Sequence, residues 1–373
     1  MLRAVLERGI RTSPLGPGVT PGGVLAYGDQ HRHVATLAFG RSHLPNATLE
    51  PDHPAVFDVT ADTVYDLASV TKPMATAAAF MKLDIDPAQP ARSLLPELSG
   101  TDVDRVTFAH LLGHTSGFPA HLKFYERILA GQRPGGATSA RDALYQMVVG
   151  TERCARPGTT EIYSDLGYIA LGVAIERATG ERLDRAVSRL VLQPLGLDST
   201  FFVDLTEEPR QPKSERVAPT EVCPYRGLVH REVHDDNAHA AGGICGHAGL
   251  FATADDVARF GRAMLTLLDG RAIGGFQPEV ARRFARTATA PGATHTLGWD
   301  RPSPPPVLTH AGARWPLSGV GHLGFTGTSL WLDPARGRYV VLLTNRVHPS
   351  RQPPGIRDFR RAVMDAVVAE LDD

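Results

Sequence analysis

Residues 65–81, Tyr65-Asp66-Leu67-Ala68-Ser69-Val70-Thr71-Lys72-Pro73-Met74-Ala75-Thr76-Ala77-Ala78-Ala79-Phe80-Met81, read as a short extended segment that turns into a helix at Ser69. Val70, Met74, Ala77, Ala78 and Met81 recur at helical spacing. A serine there has an ordinary role, because an N-cap hydroxyl accepts a bond from an unpaired N–H of the first turn. Pro73 fits too, since so near a helix start it removes at most one ladder bond. Lys72 opens a second reading. Three residues on, its side chain lies on the same face one turn along. A neutral buried amine that close can take the hydroxyl proton and make a weak nucleophile useful. The chain has 15 serines and four lysines (Lys72, Lys82, Lys123, Lys213), so about 0.2 such pairs arise by chance. Taken alone, the stretch leaves cap and nucleophile both open.

Upstream, residues 21–28 and 33–40 are two strand-like runs separated by a polar turn at 29–32, a hairpin. Residues 41–64 read as loop. Downstream, the Asp84–Pro90 stretch ends the Ser69 helix, and periodicity is mostly helical from about 90 to 200. Short helices are expected over Arg105–Leu112 and, capped by Ser139, over 139–149. A buried helix is expected over Asp165–Thr179, ending at Gly180, and the helical run continues over Arg182–Val191. Residues 205–235 are polar, irregular and proline-rich, an excursion that can wall a site. Ala254–Leu268 is a helix with Thr253 as its cap. The period then changes: 324–332 and 338–344 are β-rich runs joined by a turn at 333–337, and 354–371 is an amphipathic helix.

Strands at both chain ends with helices between them imply an α/β (α+β) architecture in one domain, residues 1–373. An antiparallel sheet flanked by helices takes residues 1–80 and 240–373; a mainly helical insert takes 81–239. A site between sheet and insert follows.

Composition excludes several classes. Apolar residues are 42%, charged residues 21%, and the net charge is −1, so no nucleic-acid footprint or basic membrane surface is implied. Cys154, Cys223 and Cys245 are odd in number and far apart, reading as free thiols in a reducing compartment. No apolar run has the length of a membrane span or of a signal peptide's core, so the expectation is a cytoplasmic protein without membrane or nucleic-acid partners. There is no Gly-x-Ser-x-Gly elbow, no His-Glu-x-x-His and no phosphate-loop lysine, and neither metal nor cofactor is expected.

A serine–lysine pair needs a second proton carrier and donors for an oxyanion. Tyr163-Ser164-Asp165 precedes the helix starting at Leu166; Tyr163 can relay a proton if nearby cations lower its pKa from about 10. The bland alternative makes Asp165 an N-cap and Tyr163 a half-buried aromatic. Of three His-x-Gly tripeptides, at 247–249, 310–312 and 322–324, only His322-Leu323-Gly324 leads directly into a β-run. Glycine there lets a substrate approach the backbone, and His322 supplies a donor or partial positive charge at the mouth.

These three pieces, in this order, resemble the serine β-lactamase and penicillin-binding-protein-like family, most closely its class C β-lactamases and related serine esterases and D-aminopeptidase-like hydrolases. Ser69-Val70-Thr71-Lys72 resembles Ser-x-x-Lys, Tyr163-Ser164-Asp165 resembles Tyr-x-Asn, and His322-Leu323-Gly324 resembles Lys-Thr-Gly. Residues 111–117 (Leu-Leu-Gly-His-Thr-Ser-Gly) and 246–251 (Gly-His-Ala-Gly-Leu-Phe) are similar to the esterase-like branch. The resemblance implies a β-lactamase/transpeptidase-like fold and an acyl-enzyme on Ser69, with Lys72 and Tyr163 sharing the proton transfers. It also implies an oxyanion hole from the N–H groups of Ser69 and Phe325, beside Gly324. Asp165 in place of asparagine can hold Lys72 as an ammonium. His322 and Leu323 replace the lysine and threonine that help bind a carboxylate, which favours a small neutral ester over a β-lactam or peptide amide. A non-catalytic binder that kept the fold is the alternative of another class.

Overall fold

In the computed structural model, which describes residues 1–10, 18–44, 49–50, 52–98, 105–207, 214–303, 309–351 and 355–372, the two chain ends build one sheet. Helix α1 (Leu2–Ile10) precedes the expected hairpin of β1 (Gly22–Asp29) and β2 (His33–Gly40). Strand β3 (Tyr65–Asp66) enters the nucleophile segment and α2 (Ala78–Leu83) leaves it. Six helices follow: α3 (Phe108–Leu112), α4 (Phe124–Leu129), α5 (Ala140–Val149), α6 (Asp165–Thr179), α7 (Leu183–Val187) and α8 (Gln193–Leu195). Strands β4 (Phe201–Phe202), β5 (Val222–Cys223) and β6 (Gly227–Leu228), then α9 (Asp236–Ala240), lead to β7 (Leu250–Ala252), α10 (Ala254–Leu268) and α11 (Pro278–Arg286). Strands β8 (Val320–Leu323), β9 (Ser329–Asp333), β10 (Arg338–Thr344) and helix α12 (Ile356–Asp372) close the chain.

The large sheet has the order β2-β1-β10-β9-β8, antiparallel throughout, with Val24 opposite Leu343 and His322 opposite Leu330. Its central strands are apolar on both faces because both are covered. Val24 and Ala26 join a core shared with α10 and the helical block. Leu25 and Tyr27 point the other way, into a cluster with Leu2, Val5 and Leu6 of α1 and Phe359, Val363 and Val367 of α12. Each such side chain contributes about 1.5–3 kcal/mol when fully buried. Strand β8 lies at one edge of the sheet, where Gly321 exchanges backbone bonds with Asp300 and the strand then runs into the cleft. A smaller sheet, β3-β7-β4, pairs Asp66 with Phe251 and thereby ties the entry of the nucleophile segment to the 246–251 stretch.

The fold and its antiparallel sheet from both chain ends are as expected, and capping signals place several helices well. Ser139 and Thr253 each accept a bond from the N–H three residues on, and α6 ends at Gly180 with a left-handed φ of 70°. Three expectations need correction. The helix expected from Arg105 starts only at Phe108, because Thr107 and His110 form a capping box there. Residues 324–328 are not strand but the turn between β8 and β9, so His322 sits on the strand itself. The segment after Ser69 does not begin as an α-helix: Ala68–Val70 form a 3₁₀ turn, Lys72–Ala77 a π-helical stretch, and α-geometry starts at Ala78. Tertiary bonds account for this winding. Thr76 donates to Gly246 O at 2.6 Å, and Leu250 N donates to Thr71 Oγ1 at 3.1 Å. Of the polar excursion at 205–235, residues 208–213 lie outside the described residues. No helix among the described residues is long and apolar enough to cross a membrane.

Candidate active site

Ser69 caps nothing: the 3₁₀ turn that holds it has no side-chain cap bond, and Asp66 does that work by accepting from Ala68 N at 2.7 Å. Ala68 is held at a left-handed φ of 47°, a strained place for a residue with a Cβ. The Ser69 hydroxyl faces Lys72, whose Nζ lies 2.8 Å from Oγ. Lys72 is 0% exposed, and its other partners are Asp165 Oδ1 at 2.8 Å and the His247 carbonyl at 3.3 Å. Tyr163 interacts with Ser69 and Lys72 from the opposite side, its ring centroid 4.9 Å from Nζ.

The loops around these groups explain how distant stretches meet. Turn 113–119 is a cradle for the tyrosine motif: Ser164 N donates to His114 Nδ1 at 3.0 Å, Ser164 Oγ to Pro119 O at 2.7 Å and Ile162 N to His114 O at 2.8 Å. The His114 ring packs 4.4 Å from that of Tyr163. Burial holds His114 neutral, pushing its pKa well down. The 246–249 segment performs the same service for the lysine. A Cβ on Gly246 would lie 2.2 Å from Tyr168 O, so only glycine lets this segment come close under the nucleophile.

Two expectations about charge are corrected and one is met. Burial opposes a charge on Lys72, yet Asp165 and Tyr163 outweigh it and raise the pKa, so Lys72 rests as an ammonium. Burial likewise acts against the Asp165 carboxylate, but Lys72 and His121 hold it ionised and its pKa is lowered. The N-cap reading of Asp165 fails, because its oxygens go to Lys72 and, at 3.4 Å, to His121. The expected lowering of Tyr163 does not occur: burial exceeds the pull of Lys72, and the phenol's pKa is raised. His322 is no source of positive charge. It is buried, which drives its pKa well down, and its Nδ1 bonds Leu323 O at 2.9 Å. That bond needs the proton on Nδ1, so Nε2 is left as a bare acceptor without a partner among the described residues.

Neither Lys72 nor Tyr163 is thus a free base at neutral pH, and reactivity must rise as that pair sheds a proton. Asp165→Asn removes the counter-ion, leaving burial to lower the Lys72 pKa. The rising limb of kcat/KM against pH is then expected to move acidward by about 1–3 units. An unmoved limb would mean that Asp165 does not set the lysine's protonation.

Opposite Ser69, the turn after His322-Leu323 is pinned to the nucleophile segment. Thr326 Oγ1 donates to Asp66 O at 2.7 Å and Thr328 Oγ1 to Leu67 O at 2.9 Å. A Cβ on Gly324 would lie 1.9 Å from Thr328 Oγ1 and 2.5 Å from Leu67 O, which is why glycine ends the tripeptide. The N–H groups of Ser69 and Phe325 are therefore carried by two elements that cannot drift apart independently. Both border a cavity of about 650 Å³, which is also lined by Tyr163, Asp165, His322 and Gly324.

Sequence reasoning missed several pairings around this cavity. His247 and Asp235 form a buried pair at 2.8 Å; burial opposes the imidazolium, but Asp235 raises its pKa to about 10. His295 bonds Glu161 through Nδ1, and burial pushes nearby Asp300 up to about 6. His121, Asp165 and Asp235 offer ligand atoms within 4.8 Å of one another, but both carboxylates are already matched by Lys72 and His247. His247 stood in both the His-x-Gly set and the 246–251 stretch, but its pairing with Asp235, 12 residues away, and that of His295 with Glu161, 134 residues away, left no local pattern.

Comparison with known proteins agrees with this fold. A Bacillus subtilis (strain 168) protein named N-acetylmuramyl-L-alanine amidase is 31% identical over 349 residues, covering 88% of this chain and 78% of that one. Among solved structures, EstCE1, described as a hydrolase with promiscuous acyltransferase activity, superposes with TM-score 0.69 at 22% identity, covering 96% of this chain and 97% of that one. The octameric penicillin-binding protein homologue from Pyrococcus abyssi gives TM-score 0.68 at 21% identity, covering 95% and 74%. The family model described as Beta-lactamase matches residues 15–364, and the chain belongs to that family of serine hydrolases, which also contains the penicillin-binding-protein-like enzymes.

Proposed function

We propose that the protein hydrolyses a small ester through an acyl-enzyme on Ser69. The carrying observation is the 2.8 Å contact of a fully buried Lys72 Nζ with Ser69 Oγ, in a site where Asp165 and Tyr163 complete the proton path. Ser69 Oγ attacks the carbonyl carbon as its proton passes to the Lys72–Tyr163 pair. The new oxyanion is taken by the N–H groups of Ser69 and Phe325. Collapse breaks the bond to the leaving oxygen, which receives that proton. Water, deprotonated by the same pair, then attacks the acyl carbon and frees the acid and Ser69.

Leu323 and neutral His322, standing where a lysine and threonine would meet a carboxylate, support an uncharged ester as substrate. The second reading, hydrolysis of an amide, is favoured by the relative named as an amidase. Intact mass after a fluorophosphonate and, separately, after a penicillin distinguishes them. A phosphonyl adduct on wild type alone, absent from Ser69→Ala, with no penicilloyl adduct, supports the ester. Both adducts favour the amide, and no adduct on wild type refutes the nucleophile.

Tyr163→Phe keeps the ring against His114 and removes only the hydroxyl. It is expected to lower kcat by about 10²–10⁴ if that hydroxyl carries the proton. A minor effect would leave the transfers to Lys72 alone.

A further inference from the structure

Arg360, on α12, is 4% exposed, and among the described residues no carboxylate pairs with it. Its Nη2 instead donates to two carbonyls, Gly324 O at 2.8 Å and Thr328 O at 2.7 Å, the two ends of the turn between β8 and β9. Burial acts against this charge, and the neighbouring Arg346 adds to the penalty. A neutral amide donor could bond two carbonyls without the desolvation cost of a guanidinium. The cost falls beside the cavity, which Arg360 helps to line.

The position of one bond accounts for the charge. Gly324 C=O and Phe325 N–H are opposite ends of a single planar peptide unit. A cation bonded to the oxygen draws electron density through that unit, and charge-assisted bonds in a chain strengthen the next donor. The next donor is the Phe325 N–H at the cavity. We propose that Arg360 is a positioning residue whose buried charge, acting through the Gly324–Phe325 peptide, strengthens the oxyanion donor at Phe325. The inference rests on the acyl-enzyme reading above. It assigns α12 a part in the chemistry that no motif in the sequence marks.

Arg346 supplies the internal comparison. It is also a cation near this turn and without a carboxylate partner among the described residues, but its Nε bonds Phe325 O at 2.9 Å. That oxygen belongs to the following peptide, whose N–H is that of Thr326. Two guanidinia thus stand at one turn, and only Arg360 bonds the peptide that carries the Phe325 donor.

The test uses the full chain as wild type, Arg360→Gln, Arg360→Lys and Arg346→Gln, with an activated ester and its thionoester. Sulfur accepts hydrogen bonds weakly, so the ester-to-thionoester rate ratio reads the strength of the oxyanion donors. Glutamine can keep a carbonyl bond without the charge. Arg360→Gln is expected to lose about 10-fold in ester kcat, below the 10²–10³ of deleting a donor outright, with KM little changed and the ratio reduced. Arg360→Lys should retain most of the rate, and Arg346→Gln should lose less than Arg360→Gln.

An Arg360→Gln with wild-type kcat, or with equal losses on ester and thionoester, overturns the proposal and leaves a structural arginine. Should that variant not fold, Arg360→Lys decides: a folded lysine variant with a wild-type ratio supports the role of charge, and one with a collapsed ratio overturns it. Fluorophosphonate labelling of wild type at Ser69 separates the two levels of the argument. Unlabelled wild type brings down the acyl-enzyme reading and this proposal with it; a labelled wild type with an unchanged ratio in Arg360→Gln brings down this proposal alone.

Discussion

Ser69→Ala is expected to lower ester turnover by about 10⁶-fold while the chain still folds and melts no earlier than wild type. The rate falls because no other hydroxyl can take the place of Oγ in front of Lys72 and Tyr163, and the residual rate comes from binding and the oxyanion donors alone. Stability holds for a separate reason. The hydroxyl caps no helix, and Lys72 keeps Asp165 and the His247 carbonyl when Oγ is gone. Initial rates on an activated ester, with a thermal melt of the same preparation, check both halves. Retained turnover would remove Ser69 from the chemistry, and a collapsed fold would return it to a structural role.

Lys72→Met is expected to damage both activity and fold. Methionine fills much of the lysine's volume but takes away the 2.8 Å partner of the Asp165 carboxylate, leaving it His121 at 3.4 Å and the charge of His247. Removing one partner of a buried ion pair costs about 3–5 kcal/mol, because the other charge is stranded. The sign with pH follows from Asp165. In wild type its pKa is lowered, so its stabilising contribution is present above the unfolded carboxylate range and is lost only as pH falls through the depressed value. In the variant burial raises that pKa, so the folded state takes up a proton as pH falls and the deficit against wild type narrows. The double variant Lys72→Met/Asp165→Asn should recover much of the stability and none of the turnover, since it removes the stranded charge but not the missing amine. Denaturant melts of the three variants at neutral and mildly acidic pH measure this. A double variant as unstable as Lys72→Met would mean the lysine is held for its packing, not its charge.

What the sequence makes legible depends on how local the signal is. Helices α5, α6 and α10 are readable because each carries its own boundary: Ser139, Gly180 and Thr253 do in the structure what those residue types do anywhere. The terminal sheet is readable because β1 and β10 are near-continuous apolar runs, the mark of strands covered on both faces. Helix α11 carried Pro278 in its first turn and still went unread between loops. Within 324–332, residues 324–328 misled because their types suit a strand, while Gly324 N donates to Thr328 O to close a turn that Thr326, Thr328 and Arg360 pin in place.

The site divides in the same way. Ser69 and Lys72 share one turn of backbone, so their spacing is visible, and Tyr163 follows from the motif order that resembles the family. The structure brings these three together with Asp165, His322, Gly324 and Phe325 around one cavity, with Lys72 behind Ser69. The charge on Lys72 was legible from Asp165, but those of Tyr163 and His322 were not. The Tyr163 pKa rises because the depth of the pocket outweighs Lys72, and depth is a tertiary quantity. The pairing of His247 with Asp235 and the bonds of Arg360 were invisible too, since contacts between separate segments leave no local pattern.

The central claim is a covalent acyl intermediate on Ser69, and acid quenching during turnover tests it most directly. Wild type is mixed with excess activated ester, quenched within the first turnovers, and its intact mass and peptic peptides are read. The account predicts a mass gain equal to the acyl group on the peptide containing Ser69, absent from Ser69→Ala. Product release with unmodified protein at every quench time, under conditions where Tyr163→Phe also shows no adduct, would contradict it.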